Sequence, residues 1–192
     1  SWRIHRRPIW LNVYDKRCIG THMVQTCGQS QPELRDMSMP AQLPIKLRTG
    51  GKTDVRTQFA ALCYRYVSDE LQFCLITSRG TGRWIPPKGW PMHKQTPAEA
   101  AATEAWEEAG LTGFAHDVCI GVFSYVKPFS KKQKLPVLAL VYPFEVTNVH
   151  SDWPEKFERK RKWFKRETAA RKVTEPELRA IILGFDPRHL RG

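Results

Sequence analysis

An α+β fold is predicted for this 192-residue chain by three observations. Apolar runs bounded by turn signals recur at residues 59–66, 71–78, 114–125 and 135–146, the pattern of buried strands. One capped, alanine-striped helix interrupts them at residues 97–109, and a second helical pattern closes the chain at 175–183. Strands divided by one helix and closed by another fit layers packed around a sheet.

Residues 1–50 lack sustained periodicity and are broken by Pro8, Pro32, Pro40, Pro44, Gly50 and Gly51. They hold eight Lys/Arg and three Asp/Glu, and so contribute five of the twelve surplus positive charges. We expect them to be a poorly ordered basic extension, with the folded domain at residues 51–192. In that domain, Val67-Ser68-Asp69-Glu70 is a hairpin turn between the first two strands. Residues 78–83 form a loop, Trp84-Ile85 a short strand, and Pro86-Pro87-Lys88-Gly89 leads to the central helix. Thr96 is its expected N-cap, Pro97 its first residue, Glu99 the capping-box partner and Gly110 the left-handed stop. The run 114–125 is read as one strand, followed by a basic loop and the strand 135–146. Residues 158–164 form a short strand with an aromatic end, 167–172 a helical turn, and Gly184 stops the final helix.

A formal charge of +12 and a pI near 9.7 suit either nucleic acid or a small, heavily phosphorylated ligand. Five cysteines with no C-x-x-C pair argue against a zinc site or a disulfide framework and favour a reducing cytoplasm. No apolar run reaches membrane-spanning length, so no membrane partner is expected.

At about 100° per residue, Ala98, Ala101, Ala102, Ala105 and Ala109 share one helix face, while Glu104, Glu107 and Glu108 gather on the other. Like charges this close disfavour a helix slightly, but a hard divalent cation needs carboxylates converging from one rigid element.

The spacing from Gly89 to Leu111 resembles the Nudix box, G-x5-E-x7-R-E-U-x-E-E-x-G-U, where U is bulky and aliphatic. Gly89, Glu104, Glu107, Glu108, Gly110 and Leu111 fall on its fixed positions; Gln95, Thr103 and Ala105 depart from it. Gln95 and Thr103 replace two charged residues together and leave a neutral pair. The resemblance implies a Nudix α/β/α sandwich with a mixed sheet, and Mg²⁺-dependent hydrolysis of a phosphoanhydride, with Mn²⁺ as a substitute ion. It implies metal binding by Glu104, Glu107, Glu108 and the Gly89 carbonyl, the three glutamates also being the catalytic candidates. Ser78-Arg79, Arg83-Trp84-Ile85, Asp152-Trp153 and residues 159–164 are similar to the diphosphoinositol polyphosphate phosphohydrolase branch, which cleaves inositol pyrophosphates and diadenosine polyphosphates. Pro87-Lys88-Gly89 at the box entrance is closer to dinucleoside polyphosphate hydrolases.

On this reading Arg79, Arg83, Lys88, Lys132, Lys134 and Arg161, with Lys131, Arg159 and Lys160 in the same basic runs, form a ring of cations for a small phosphorylated metabolite. Glu145 and Glu155 are further metal-ligand candidates. Trp90 is a stacking candidate, whereas Trp106, Trp163 and Phe164 are expected to pack and His93 to be solvated. Two other functions stay open: RNA 5′-end pyrophosphohydrolysis, and non-catalytic binding of a metabolite or nucleic acid. Oligomeric state is not legible in the sequence.

Overall fold

The structure, a computed structural model, describes residues 56–128 and 134–190. The chain runs β1 (Arg56–Val67), β2 (Glu70–Thr77), β3 (Trp84–Ile85), β4 (Lys88–Gly89), α1 (Pro97–Ala109) and β5 (Leu111–Ala115). It continues through β6 (Gly121–Pro128), β7 (Lys134–Val149), β8 (Arg161–Lys165), α2 (Arg166–Lys172) and α3 (Pro176–Gly184) to a closing 3₁₀ turn, Pro187–Leu190.

β1 is the axis of the sheet. It pairs in parallel with β7 and antiparallel with β2 and β4, so the sheet is mixed. Its apolar run is buried on both faces. Phe59, Ala61 and Cys63 meet the alanines of α1, while Ala60, Leu62 and Tyr64 meet Ala169 and Ala170 of α2 and Leu178 and Ile182 of α3. The result is the expected α/β/α sandwich. At the β1–β2 hairpin, Ser68 and Asp69 take φ of 48° and 62°, the left-handed pair of a tight two-residue turn.

Four local expectations need correction. The run 114–125 is two strands, β5 and β6, lying end to end along β7. Pro143 of β7 faces this edge, accepting from His116 N at 3.0 Å, yet it has no N–H to return. The ladder cannot continue past it, and residues 116–120 loop out before β6 resumes. The last strand begins at Arg161, because the Glu158 and Arg159 N–H groups turn back to Glu155 O. Gly184 is the last residue of α3 and not a left-handed stop. Arg166 supplies the cap from outside, donating to the carbonyls of Ile182, Leu183 and Phe185 at 3.0, 3.0 and 2.6 Å. Finally, Lys88 and Gly89 form a strand, β4, that the sequence reading took for loop.

α1 follows its sequence signals. Thr96 accepts from Glu99 N, Glu99 Oε2 accepts from Thr96 N at 2.7 Å, and Gly110 closes the helix at φ 61°. Ala100 is buried as well as the predicted stripe, and Ala102 is only partly covered. Ala105 has no exposed surface, so Ala105→Leu must push α1 off the sheet. The expected cost is about 1–3 kcal/mol, read as a lower urea midpoint with an unchanged slope.

Candidate active site

α1 and β4 touch at Gly89. A Cβ on this glycine would lie 1.6 Å from Glu104 Oε1, so only a bare α-carbon lets the carboxylate rest there. One turn later, Glu108 is 5% exposed. Its Oε2 accepts from the Lys88 backbone N–H at 2.9 Å, and its Oε1 is ion-paired with Arg159. Arg159 comes from the segment between β7 and β8, held by Glu155 Oε2 at 2.5 Å and the Thr77 carbonyl at 3.2 Å. Glu104, Glu108 and Gly89 open into a cleft of about 430 Å³ whose walls come from β1, β4, β6, α1 and the loops before β3, β8 and α3.

Arg79, Arg83 and Lys88 line this cleft as expected from sequence. Arg79 is paired with Glu155 at 3.2 Å and Glu158 at 3.0 Å, and Arg83 with Glu175 at 3.0 Å. Lys88 has no ion-pair partner among the described residues, and neither does Lys127 of β6, which lies over the Trp90 ring at 4.8 Å.

The other sequence candidates lie elsewhere. Arg161 donates to the carbonyls of Ala109, Gly110 and His150 and covers the Trp153 ring at 4.3 Å. It therefore caps the C-terminal end of α1, where a cation suits the helix dipole, and does not line the cleft. Lys134 is exposed at the start of β7, outside the cleft. Lys132 lies outside the described residues. Glu107 is half-buried and does not line the cleft; its backbone carbonyl accepts from Glu155 N at 3.1 Å. Glu145 lines a separate cavity of about 270 Å³ with Tyr64 and His116. Trp106 packs edge-on against His150, and Phe164 is in the core.

Sequence reasoning missed Lys127, Gln58, Tyr125 and Glu175 as cleft residues, and placed Arg159 there only as part of a basic run. Gln58 carried a signal, being polar beside an apolar run. Nothing in the basic run 159–161 separated buried Arg159 from its neighbour Lys160, which is solvated as charge runs usually are.

The description "NUDIX domain" matches residues 56–184. The chain belongs to the Nudix family. It is 31% identical over 128 residues to rat diphosphoinositol polyphosphate phosphohydrolase 2, covering 66% of this chain and 67% of that protein. It is 32% identical to human diphosphoinositol polyphosphate phosphohydrolase 3-beta, covering 66% and 74%. Its class is that of the Nudix pyrophosphohydrolases. The fold is shared with a MutT protein from Methanosarcina mazei Go1, with TM-score 0.51 at 20% identity over 73% of this chain and 99% of that one. A C. elegans Ap4A hydrolase binary complex gives 0.50 at 21% identity over 67% and 93%.

Within the Nudix box, two of the three departures meet. Thr103 Oγ1 is 3.4 Å from Gln95 Oε1, but its single proton has a better acceptor in Glu99 O at 3.0 Å. No cation reaches the carboxylates from these box positions; Arg159 brings one from outside.

Burial, aided by the neighbouring charges of Glu108, Glu107 and Glu155, pushes Glu104 up to about 7. Burial also raises Glu108, against the pull of Arg159 and Lys88. Burial lowers Lys88 to about 8, with Arg159 and Lys127 adding to the effect and Glu108 and Glu175 opposing it. Among the described residues Glu104 has no hydrogen-bond or ion-pair partner, so its carboxylate is the one a cation would relieve most. Among these residues, no three His, Cys, Asp or Glu side chains could hold a metal ion by themselves. Two carboxylates, water and substrate oxygens are nevertheless an ordinary environment for a hard divalent cation, and Glu104 with Glu108 fit it.

Two outcomes follow from these contacts. Glu104 is raised in the fold, so protonation stabilises the metal-free protein; that contribution is complete below its ordinary pKa and is lost as pH rises through about 7. Protons therefore compete with a cation: Mn²⁺ affinity, measured by titration, should rise with pH and level off above about 7, and Glu104→Gln should weaken binding and flatten the profile. Arg159→Ala strands Glu108 in a buried site and should cost about 3–5 kcal/mol in denaturant melts, whereas adding Glu108→Gln should recover part of that loss.

Proposed function

We propose that this Nudix protein hydrolyses a phosphoanhydride bond in a small, highly anionic substrate of the diadenosine polyphosphate or diphosphoinositol polyphosphate type. The supporting observation is that half-buried Glu104 and buried Glu108 share one cleft with Lys88 and Lys127, which have no ion-pair partner among the described residues. Carboxylates suit a divalent cation, Mg²⁺ or Mn²⁺, held by Glu104 and Glu108 with the Gly89 carbonyl. Such an ion neutralises phosphoryl oxygen charge and holds water in line for attack. Lys88 and Lys127 hold phosphate oxygens, and Arg79 and Arg83 can exchange their carboxylate partners for substrate. One of the α1 carboxylates, Glu104, Glu107 or Glu108, takes the proton from the attacking water.

The size of the cleft favours a small molecule over an RNA chain. Cys63 and Cys74 are buried free thiols, which supports a cytoplasmic location. Among the described residues no helix is long and apolar enough to cross a membrane.

The test is phosphate and nucleotide release from both substrate types with Mg²⁺, comparing the parent protein with Glu108→Gln. Turnover should fall by at least about 10²-fold in the variant. Equal turnover would place the chemistry elsewhere, and no turnover in either would favour a binding role.

A further inference from the structure

A row of alternating charges runs inward from the surface: Glu158, Arg79, Glu155, Arg159 and Glu108. Arg79 gives Nη1 to Glu158 Oε2 at 3.0 Å and Nη2 to Glu155 Oε1 at 3.2 Å. Glu155 takes Arg159 Nε on its other oxygen, Oε2, at 2.5 Å. Arg159 in turn is ion-paired through Nη2 with Glu108 Oε1. Side-chain exposure falls along the row, from 58% at Arg79 to 19% at Glu155 and 5% at Arg159, so the inner pairs are the least screened.

Arg79, Arg159 and Glu108 line the cleft, and Glu155 does not. The Glu155 backbone is fixed in place. Its N–H gives to Glu107 O at 3.1 Å, and its carbonyl accepts from Glu158 N at 3.0 Å and Arg159 N at 3.2 Å. One carboxylate is thus held between two guanidiniums, one exposed at the cleft and one buried against Glu108. An anion that draws Arg79 away leaves Glu155 balanced by Arg159 alone. Less of the Arg159 charge is then set against Glu108, which suits a cation better. Neutralising Glu108 has the reverse consequence: Arg159 leans on Glu155, and Arg79 is loosened for an anion. Linkage makes the two effects a single coupling.

We propose that Glu155 is a positioning residue that couples anion binding at Arg79 to cation binding at Glu104 and Glu108. This inference rests on the phosphoanhydride-hydrolase reading above, which puts a divalent ion on those carboxylates and phosphate oxygens on Arg79. Glu155 acts only through its two arginine partners, and its effect is that each ligand binds better once the other is present. Glu158 supplies the control. It carries the same charge and holds the same Arg79 guanidinium, but its carboxylate has no ion pair with Arg159.

The test titrates the whole chain with Mn²⁺, counting the free ion by its paramagnetic resonance signal, at a pH above about 7 where Glu104 is ionised. Each titration is run in chloride and in sulfate of equal ionic strength. Sulfate is the probe because it is a tetrahedral dianion like phosphate and binds Mn²⁺ only weakly in solution. In the parent, sulfate should tighten Mn²⁺ binding by at least about fivefold. Glu155→Gln should cut that enhancement to less than about twofold, whereas Glu158→Gln should leave it within about twofold of the parent value. Both variants remove one negative charge beside Arg79, so a general field effect or a merely structural role would not separate them in this way. No enhancement in the parent, equal enhancement in all three proteins, or equal loss in both variants overturns the coupling and leaves the metal site standing. Identical titrations of the parent and Glu104→Gln would mean that no ion sits on that carboxylate, and the hydrolase reading would fall with the coupling. Should Glu155→Gln fail to fold, Glu155→Asp takes its place: it keeps the charge, but its shorter side chain cannot span both guanidiniums, and the enhancement should fall likewise.

Discussion

The contact between Glu104 and Gly89 is the constraint on which the rest of the site depends. It exists because alanines, not larger residues, cover the sheet-facing side of α1, and because position 89 has no side chain. A helix held farther from the sheet would leave Glu104 in water, an ordinary solvated carboxylate. Pressed against β4, Glu104 loses solvent beside three other carboxylates and rises to about 7. Packing thus creates the electrostatic demand that a cation answers. The same approach brings the Lys88 N–H within 2.9 Å of Glu108 and fixes the second carboxylate.

The second layer of control lies outside the helix. The segment between β7 and β8, together with the first residue of β8, grips α1 at Glu107 O, at Glu108 and at its C-terminal carbonyls through Glu155, Arg159 and Arg161. The buried guanidinium of Arg159 opposes the burial that raises Glu108. It also leaves the cleft poorer in free positive charge than its lining residues suggest, because most of those residues neutralise one another. Net charge on the chain is consequently a weak guide to charge in the site.

Features that depend on local chemistry were legible in the sequence: the Thr96–Glu99 capping box, the Gly110 stop, the tight Ser68–Asp69 turn and the alanine face of α1. So was the convergence of Glu104 and Glu108 with Gly89. What failed depends on partners distant in the chain. Nothing near residue 159 distinguishes a buried arginine from its solvated neighbour, and nothing near residue 161 shows that it meets a helix end some fifty positions earlier. The break between β5 and β6 is caused by Pro143, on the opposite strand. Gly184 looked like a stop because the cap supplied by Arg166 cannot be seen locally.

Anomalous diffraction from Mn²⁺-soaked crystals tests the central claim most directly, because it locates the ion without assuming a substrate. The account predicts a manganese peak within coordination distance, about 2.0–2.3 Å, of Glu104 and Glu108 oxygens, next to Gly89. A peak at Glu145 and His116 instead, or no peak in the cleft at saturating Mn²⁺ above pH 7, would contradict it.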